Sequence, residues 1–107
     1  MDRLTATRRR ILEGIYDSAP DAVYGLEISR MAQISSGSLY PALRDLRKAG
    51  LVETEWRAPE DDPEGQPLRY YTLSPNGFAL VKALSAGTVE GTGWRKFLPA
   101  TMRWALR

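Results

Sequence analysis

Three positively charged side chains, Arg44, Arg47 and Lys48, lie within five consecutive positions of the sequence. An arginine guanidinium can form two parallel hydrogen bonds with guanine, and both arginine and lysine bind phosphate. The chain contains no histidine and no cysteine, so it lacks the usual general base, the most nucleophilic side chain and thiolate metal ligands. These residue types favour binding of a polyanion over catalysis, and we expect neither enzymatic activity nor a cofactor or metal site.

Basic and acidic residues are distributed unevenly along the chain, although the formal net charge is only +2. Four acidic residues lie between residues 60 and 64, and the rest of the chain has 15 basic and nine acidic residues. The basic residues cluster at residues 8–10, 44–48 and 95–107. Such a surplus suits a polyanionic partner. A solvated surface with ordinary salt bridges is the alternative that charge alone leaves open.

The composition indicates a single domain, because 107 residues with 43% hydrophobic content can build one core. The sequence has no run of about 18 apolar residues, so we expect no membrane span. Residues 1–10 are polar and basic and lack the apolar segment of a secretory signal. We therefore expect a cytoplasmic protein that does not bind membranes.

Hydrophobic periodicity predicts three helices in the first half of the chain. The first covers residues 5–17, with Thr5 or Thr7 as its cap. After a turn, the second is predicted to begin at Asp21 or Ala22, with Val23, Leu26, Ile28 and Met31 as its apolar residues. A tight turn at residues 34–37 then leads into a third helix, which ends at Gly50.

The third helix has two different faces when successive residues are placed about 100° apart. Leu39, Leu43 and Leu46 fall on one side, which we expect to face the core. The opposite side is centred on Gly37, Pro41, Arg44 and Lys48, with Tyr40 and Arg47 beside them. Pro41 costs little if the helix begins at Ser38, whereas a start at Ser36 makes it a strained position. In both cases its ring stiffens this part of the helix.

The second half of the chain predicts a β-hairpin followed by a helix. Residues 51–57 alternate as a strand, residues 58–67 form a polar loop, and residues 68–73 are rich in strand-forming types. Ser74 and Pro75 suit the cap and the first position of the next helix. The predicted fold is mainly α with a small antiparallel β-hairpin. Its order of three helices, two strands and a helix defines a winged helix-turn-helix.

We expect residues 1–86 to form this domain and residues 87–107 to form a linker and a C-terminal helix. The tail carries large apolar side chains, too many for a solvated helix. The candidate dimerisation residues are Trp94, Phe97, Leu98, Met102 and Trp104. Packing of the tail against its own domain is the alternative, and a basic amphipathic helix on a membrane surface is a third.

In a helix-turn-helix protein the third helix enters the major groove of DNA with its N-terminal residues at the base edges. The candidate DNA contacts are Ser36, Gly37, Ser38, Tyr40, Pro41, Arg44, Arg47, Lys48, Arg57 and Arg69. Among them Arg44 and the Ser36–Tyr40 end of the helix are expected to read the bases, while Arg47 and Lys48 reach phosphates, as do Arg8, Arg9 and Arg10. The acidic loop at the tip of the hairpin should be repelled by DNA, which leaves Arg57 and Arg69 as contacts from the hairpin.

Three segments together resemble the PadR family of bacterial transcriptional regulators. They are YGLEI at 24–28, SSGSLYPALRDLRKAGLVETEW at 35–56 and RYYTLSPNGFALV at 69–81. The similarity covers roughly residues 8 to 84, in order and with few gaps. It implies a winged helix that binds operator DNA as a homodimer, usually as a repressor, and a location at the bacterial nucleoid.

The resemblance also implies that Tyr40 approaches the DNA backbone and that the C-terminal helix carries dimerisation. Family members often respond to small aromatic compounds such as phenolic acids, or to other hydrophobic molecules. We therefore expect a homodimeric repressor on a near-palindromic operator, with a small aromatic or hydrophobic effector. A winged helix that binds another protein rather than DNA is the alternative from a different functional class.

Overall fold

The structure, a computed structural model, describes residues 4–59, 61–87 and 96–97. It contains four helices and a three-stranded antiparallel sheet. The elements are α1 (Ala6–Ser18), β1 (Val23–Tyr24), α2 (Gly25–Ala32), α3 (Ser36–Lys48), β2 (Val52–Arg57), β3 (Leu68–Leu73) and α4 (Pro75–Ser85). The predicted order of three helices, a hairpin and a fourth helix is confirmed.

Helix α1 forms as its sequence predicts. The Thr5 hydroxyl accepts a hydrogen bond from the Arg8 backbone N–H at 3.2 Å, which satisfies one of the free donors at the start of the helix. Ile11, Leu12 and Ile15 are buried on one side, in the positions that helical periodicity brings together. This face anchors α1 against the rest of the domain.

The second helix differs from the prediction at its start and in its buried face. Val23 and Tyr24 pair with β3, so α2 begins only at Gly25. Ile28 is buried as expected, but Leu26 and Met31 are about half exposed and do not belong to the core. The short strand moves the start of the helix, and Ile28 and Ala32 then form its buried stripe.

The sheet order is β1-β3-β2, with both pairs antiparallel. Trp56 lies opposite Arg69, and Thr54 lies opposite Tyr71. Cross-strand partners share a face, and consecutive residues along a strand alternate between faces. Trp56, Arg69 and Tyr71 therefore lie on one side of the hairpin, whereas Arg57 and Tyr70 lie on the other.

Helix α3 confirms the predicted division into two faces. Leu39, Leu43 and Leu46 are no more than 1% exposed. The helix ends where Gly50 takes a φ of 76°, and the Leu51 N–H bonds back to the Leu46 carbonyl, a Schellman arrangement. Its leucines fix the helix to the core, so its polar side is left on the surface.

Pro41 lies at the sixth position of α3, because the helix begins at Ser36. A proline there cannot donate to the Gly37 carbonyl four residues earlier. The helix therefore begins at Ser36 and not at Ser38, and the proline ring interrupts its hydrogen-bond ladder. The interruption falls on the exposed side, since both Gly37 and Pro41 are exposed, so water can satisfy the carbonyl.

Ser74 ties together the end of α3, the start of β2 and the start of α4. Its N–H donates to the Leu51 carbonyl at 3.0 Å, and its hydroxyl donates to the Gly50 carbonyl at 2.6 Å. The same hydroxyl accepts the Gly77 N–H at 3.0 Å, which caps α4 as predicted. At Gly77 an added Cβ would collide with the Leu51 carbonyl oxygen, so only glycine permits this approach.

The predicted linker and C-terminal helix at 87–107 lie outside the described residues, apart from Gly87, Lys96 and Phe97. Phe97 is half-buried and packs against the core of its own chain. The described helices are too short or too polar to span a lipid bilayer.

Candidate nucleic-acid interface

The polar side of α3 is a continuous exposed surface. All eight residues that the sequence places on this side or at the N-terminal end of the helix are exposed: Ser36, Gly37, Ser38, Tyr40, Pro41, Arg44, Arg47 and Lys48. Arg44 and Lys48 are four residues apart, so they lie one above the other on the helix surface. We call this exposed side, with its three basic residues, the basic face of α3.

No ion pair within the described residues neutralises the basic face. Asp45 is the acid within α3, and it pairs with Arg8 of α1 at 3.0 Å rather than with Arg44 or Lys48. This pair is partly buried, with 20% of the Arg8 side chain and 33% of the Asp45 side chain exposed. Arg8 therefore cancels the negative charge of α3 and leaves the three cations of the basic face available to a polyanion.

The N-terminal end of α3 carries small polar residues and backbone donors. Ser35 makes no side-chain cap, and its carbonyl accepts the N–H groups of Ser38 and Leu39. The first N–H groups of a helix have no partner within the helix and carry partial positive charge. Ser36 and Ser38 add hydroxyl groups at the same end, which therefore suits contact with phosphate oxygens.

Tyr40 projects from α3 across the start of α2. A Cβ added at Gly25 would lie 2.5 Å from the Tyr40 hydroxyl oxygen and 2.9 Å from its ring carbons. The ring is nevertheless half exposed, so one side of it rests on the Gly25 backbone while the other remains open. Gly25 is required for this placement, because any side chain there would displace the tyrosine.

The two arginines predicted as hairpin contacts lie on opposite faces of the hairpin. Arg69 lies over the Trp56 ring, 4.8 Å from the ring centroid, on the side that also carries Tyr71. Arg57 lies over the Tyr70 ring at 4.2 Å on the other side and pairs with Glu55 at 3.5 Å. The structure therefore brings Arg69, but not Arg57, to the same side as Tyr40.

Tyr71 links the hairpin to the basic face electrostatically. Burial raises the pKa of its phenol above the ordinary value, while a hydrogen bond and the positive charge of Arg69 act in the opposite direction. Tyr40 and Arg47 of α3 also act on this phenol. Tyr40 of α3 lines the same cleft as Arg69 and Tyr71 of β3, so these side chains form one surface.

The other side of the hairpin has the opposite electrostatic character. Acidic side chains from α1, the following turn, α2 and the hairpin loop line a cleft there, together with Tyr70. They are Asp17, Asp21, Glu27 and Asp61. Arg57 and Arg30 are the basic residues on this side. A polyanion would be repelled from most of it.

The acidic residues of the hairpin loop and the arginines of α1 lie around the candidate interface. Asp61, Asp62 and Glu64 are exposed in the hairpin loop, and Glu60 lies outside the described residues. Arg9 forms an i,i+4 pair with Glu13 at 3.3 Å, whereas Arg10 is exposed. Within residues 4–59 and 61–87, no group of acidic side chains is arranged to hold a metal ion.

Of the candidate dimerisation residues, four lie outside the described residues: Trp94, Leu98, Met102 and Trp104. Phe97 is the fifth, and it contacts its own domain.

Comparison with known protein families decides the family. The model of the "Transcriptional regulator PadR-like family" matches residues 20–83, more than half of the chain. The chain belongs to the PadR-like family of transcriptional regulators. The match runs from the turn before β1 to the last turn of α4, so it includes the basic face of α3 and the whole hairpin.

Solved structures confirm the winged-helix fold of this PadR-like chain. MepR, a transcription regulator of the Staphylococcus aureus multidrug efflux pump MepA, has a TM-score of 0.66 and 18% identity, covering 78% of this chain and 57% of MepR. A PadR family transcription regulator from Clostridium difficile R20291 has a TM-score of 0.65 and 17% identity, covering 78% of this chain and 86% of that one.

A structure of S. aureus MepR in complex with DNA has a TM-score of 0.64 and 20% identity, covering 77% of this chain and 62% of MepR. The PadR-like chain matches only a little over half of the length of MepR in these comparisons. A comparison with curated protein sequences finds no significant match.

Sequence reasoning missed two features of this surface. The first is the Arg8–Asp45 pair, which joins residues 37 positions apart and has no local signal. The second is the separation of Arg57 from Arg69. Here a signal exists, because a hairpin that pairs residue 57 with residue 68 also pairs Trp56 with Arg69 and places Arg57 on the other side.

Proposed function

We propose that this PadR-like protein is a cytoplasmic, DNA-binding transcriptional repressor whose α3 enters the major groove of an operator. The observation that carries the proposal is the basic face of α3. Its three cations are exposed and form no ion pair within the described residues, on a helix whose opposite side is buried leucine. Family membership and the DNA complex of MepR, a protein of the same fold, support the same function.

The residues have different roles in this proposal. Arg44 contacts guanine, because it is the basic residue of α3 nearest to the N-terminal end, about two turns from Ser36, and this end of the helix lies at the base edges. Arg47 and Lys48 lie further along the helix and neutralise phosphates. Tyr40 and the Ser36–Ser38 end approach the backbone, and Arg69 extends this surface onto the hairpin. Arg57 has no part in it, since it faces the acidic side.

We further propose that the protein binds as a homodimer, with residues 87–107 as the dimerisation element. A two-fold dimer would present two copies of α3 to half-sites about one turn of DNA apart, so the operator would be a near-palindrome. Sedimentation equilibrium tests this directly. A mainly monomeric mass at tens of micromolar would contradict the role of the tail.

Selection of bound sequences from a random duplex pool is the experiment that tests DNA recognition. A near-palindromic consensus is expected, and its presence beside the protein's own gene would support repression of that gene. Lys48→Ala is expected to weaken binding to all sequences alike and to lower the salt slope by about one. A pool that shows no enrichment would contradict sequence-specific binding.

A winged helix that binds another protein is the second candidate, and the exposed acids of the hairpin tip favour it. Measuring the affinity for random duplex DNA at several salt concentrations distinguishes the two functions. A DNA-binding protein loses affinity steeply as salt rises, because phosphate contacts release counterions. Negligible affinity at low salt would support the protein-binding function instead.

A further inference from the structure

An open cleft lies between the hairpin, α3 and the start of α2. Its volume is about 640 Å³. Tyr40 of α3 lines one side, Trp56 and Arg69 of the hairpin line the other, and Leu26 lies at the start of α2. The cleft borders the basic face of α3, because Tyr40 belongs to both. The surface beside α3 is therefore concave, and it continues from the helix onto the hairpin.

The cleft gathers most of the exposed hydrophobic side chains of the domain. Five large hydrophobic side chains are exposed in the described part of the chain. Four of them line the cleft, namely Leu26, Tyr40, Trp56 and Leu68, whereas Met31 lies beside α1. Trp56 is the most exposed of the five, at 64%. A contiguous group of this kind marks a surface that a partner covers, so we expect the occupant of the cleft to have apolar groups.

The charge in the cleft indicates what else its occupant carries. Arg69 is the charged residue among those that line it. Its guanidinium lies over the Trp56 ring, 4.8 Å from the ring centroid, and no acidic side chain within the described residues pairs with it. Arg57, on the opposite face of the hairpin, pairs with Glu55. The cleft therefore suits an occupant with negative charge next to apolar groups, as in a sugar–phosphate strand.

The geometry of duplex DNA brings such a strand to this position. The major groove, which admits a helix, lies beside the minor groove, and one sugar–phosphate strand separates the two. When α3 occupies the major groove, the element beside α3 meets this strand and the edge of the minor groove beyond it. In this protein that element is the hairpin, and the cleft is the space between helix and hairpin.

We propose that the cleft holds one sugar–phosphate strand of the operator and that Trp56 contacts DNA by packing against a deoxyribose from the minor-groove side. Arg69 neutralises an adjacent phosphate, and Tyr40 meets the same strand from the major-groove side. The role of Trp56 rests on the function proposed above. It adds a contact made through apolar surface to an interface otherwise made of cations and polar groups.

The contact with the sugar makes Trp56 sensitive to the chemistry of the strand. A ribose carries a 2′-hydroxyl, which is displayed in the minor groove of RNA duplexes. Packed against the indole ring, this hydroxyl would lose its hydrogen bonds to water, and such a loss is unfavourable. Trp56 therefore favours deoxyribose over ribose at the nucleotide that it covers.

NMR spectra of the full chain with random duplex DNA at low salt test the contact directly. The Trp56 indole N–H signal is the one that Trp56→Phe removes. We expect the duplex to shift this signal and to protect it from a soluble paramagnetic agent, because DNA covers the ring. A signal that keeps its position and its accessibility while the duplex binds would overturn the proposal.

Truncation of the ring measures the contact in binding experiments. Trp56→Ala should weaken duplex binding about fivefold, the order of one lost aromatic contact, and Trp56→Phe should recover most of this loss. Met31→Ala is the matched control, because Met31 is exposed outside the cleft, and it should change affinity less than about twofold. Wild-type affinity in Trp56→Ala would overturn the contact.

The salt dependence separates an apolar contact from an indirect effect through Arg69. Trp56→Ala should leave the salt slope unchanged, because it removes no phosphate contact, whereas Arg69→Gln should lower it by about one. A lower slope in Trp56→Ala would mean that the ring acts only by holding Arg69 in place. That result would overturn the contact with the sugar.

A scan of the operator with single ribonucleotides locates the sugar. At one position in each half-site, ribose should weaken wild-type binding about threefold, on the order of one poorly solvated hydroxyl. Trp56→Ala should lose this preference. A scan in which every position that disfavours ribose does so equally in Trp56→Ala would overturn the role of the indole in sugar selection.

The outcomes distinguish this inference from the proposed function. If the wild-type protein binds duplex DNA and the Trp56 signal is unaffected, DNA binding stands and only the role of Trp56 fails. If the wild-type protein binds no duplex at low salt, the proposed function fails and DNA is not the occupant of the cleft. Sedimentation of Trp56→Ala tests another occupant, since a shift towards the monomer would make the cleft an interface between copies and overturn the proposal.

Discussion

The two faces of the β2–β3 hairpin each carry one arginine over an aromatic ring, but the surroundings of the two arginines differ. Arg69 lies over Trp56 beside the basic face of α3, with no acidic partner in the described structure. Arg57 lies over Tyr70, pairs with Glu55 and borders an acidic cleft. Both residues are arginines at the loop end of a hairpin strand. Their neighbours therefore decide which of the two is available to a polyanion.

The domain thus has a basic side and an acidic side. Substitution of Arg44 on the basic side is expected to change DNA affinity the most. Arg44→Ala should cost about 1–3 kcal/mol of binding to a selected operator and relax specificity at one base pair, because a bidentate contact to guanine is lost. Binding is measured by fluorescence anisotropy against the operator and its point variants. Arg30→Ala on the acidic side is the control, and an equal loss in both variants would remove the distinction between the sides.

The Arg8–Asp45 pair should have the next largest effect. Arg8→Ala leaves the Asp45 carboxylate unpaired on α3, and the expected loss of DNA affinity is about fivefold, or ~1 kcal/mol. The double variant Arg8→Ala/Asp45→Ala should recover wild-type affinity, because the charge that Arg8 cancels is then gone. A double variant as weak as Arg8→Ala would instead mean that Arg8 contacts phosphate itself.

The two hairpin arginines should differ by a smaller amount that is most visible in the salt dependence. Arg69→Gln is expected to weaken DNA binding about two- to threefold and to lower the salt slope by about one, as the loss of one phosphate contact does. Arg57→Gln should leave both quantities unchanged. Titrations of random duplex at several salt concentrations check this. A lower slope in Arg57→Gln would place DNA on the acidic side as well.

The smallest expected effect is on stability at high pH. The folded protein holds the pKa of Tyr71 above its ordinary value of about 10, mainly because the phenol is buried. The folded state therefore keeps this proton more firmly than the unfolded state, and the free energy of unfolding should fall as pH rises above 10. Urea unfolding at increasing pH measures the fall, and Tyr71→Phe should reduce it. An unchanged pH dependence in Tyr71→Phe would assign it to other groups.

Local signals account for the elements that the sequence predicted well. The leucine spacing and Gly50 define α3, and Ser74 with Pro75 defines the start of α4, because caps and periodicity act within a few residues. The strand at Val23–Tyr24 has only two residues and exists through its pairing with β3, so no local pattern indicates it. The exposure of Leu26 follows from that shift in the start of α2.

The candidate site also has some features that local sequence signals predict and others that depend on how the elements pack. The exposure of the basic face could be predicted, because it is the reverse of a leucine stripe on one helix. The partner of Asp45 could not, since helical spacing offers Lys48, three residues further along, whereas the pairing with Arg8 depends on how α1 packs. The cleft between the hairpin, α3 and the start of α2 required the placement of three elements at once. Its residues, among them Gly25, Tyr40 and Trp56, have no common sequence pattern.

The hydrogen bonds of Ser74 have a mechanical consequence. They join the end of α3, the residue that precedes β2 and the start of α4 at one point, with Gly77 packed against the Leu51 carbonyl. The C-terminal end of α3 and the base of the hairpin are therefore held together by the same side chain. We expect a shift of α3 to be passed on to the base of the hairpin, and a shift of the hairpin base to α3.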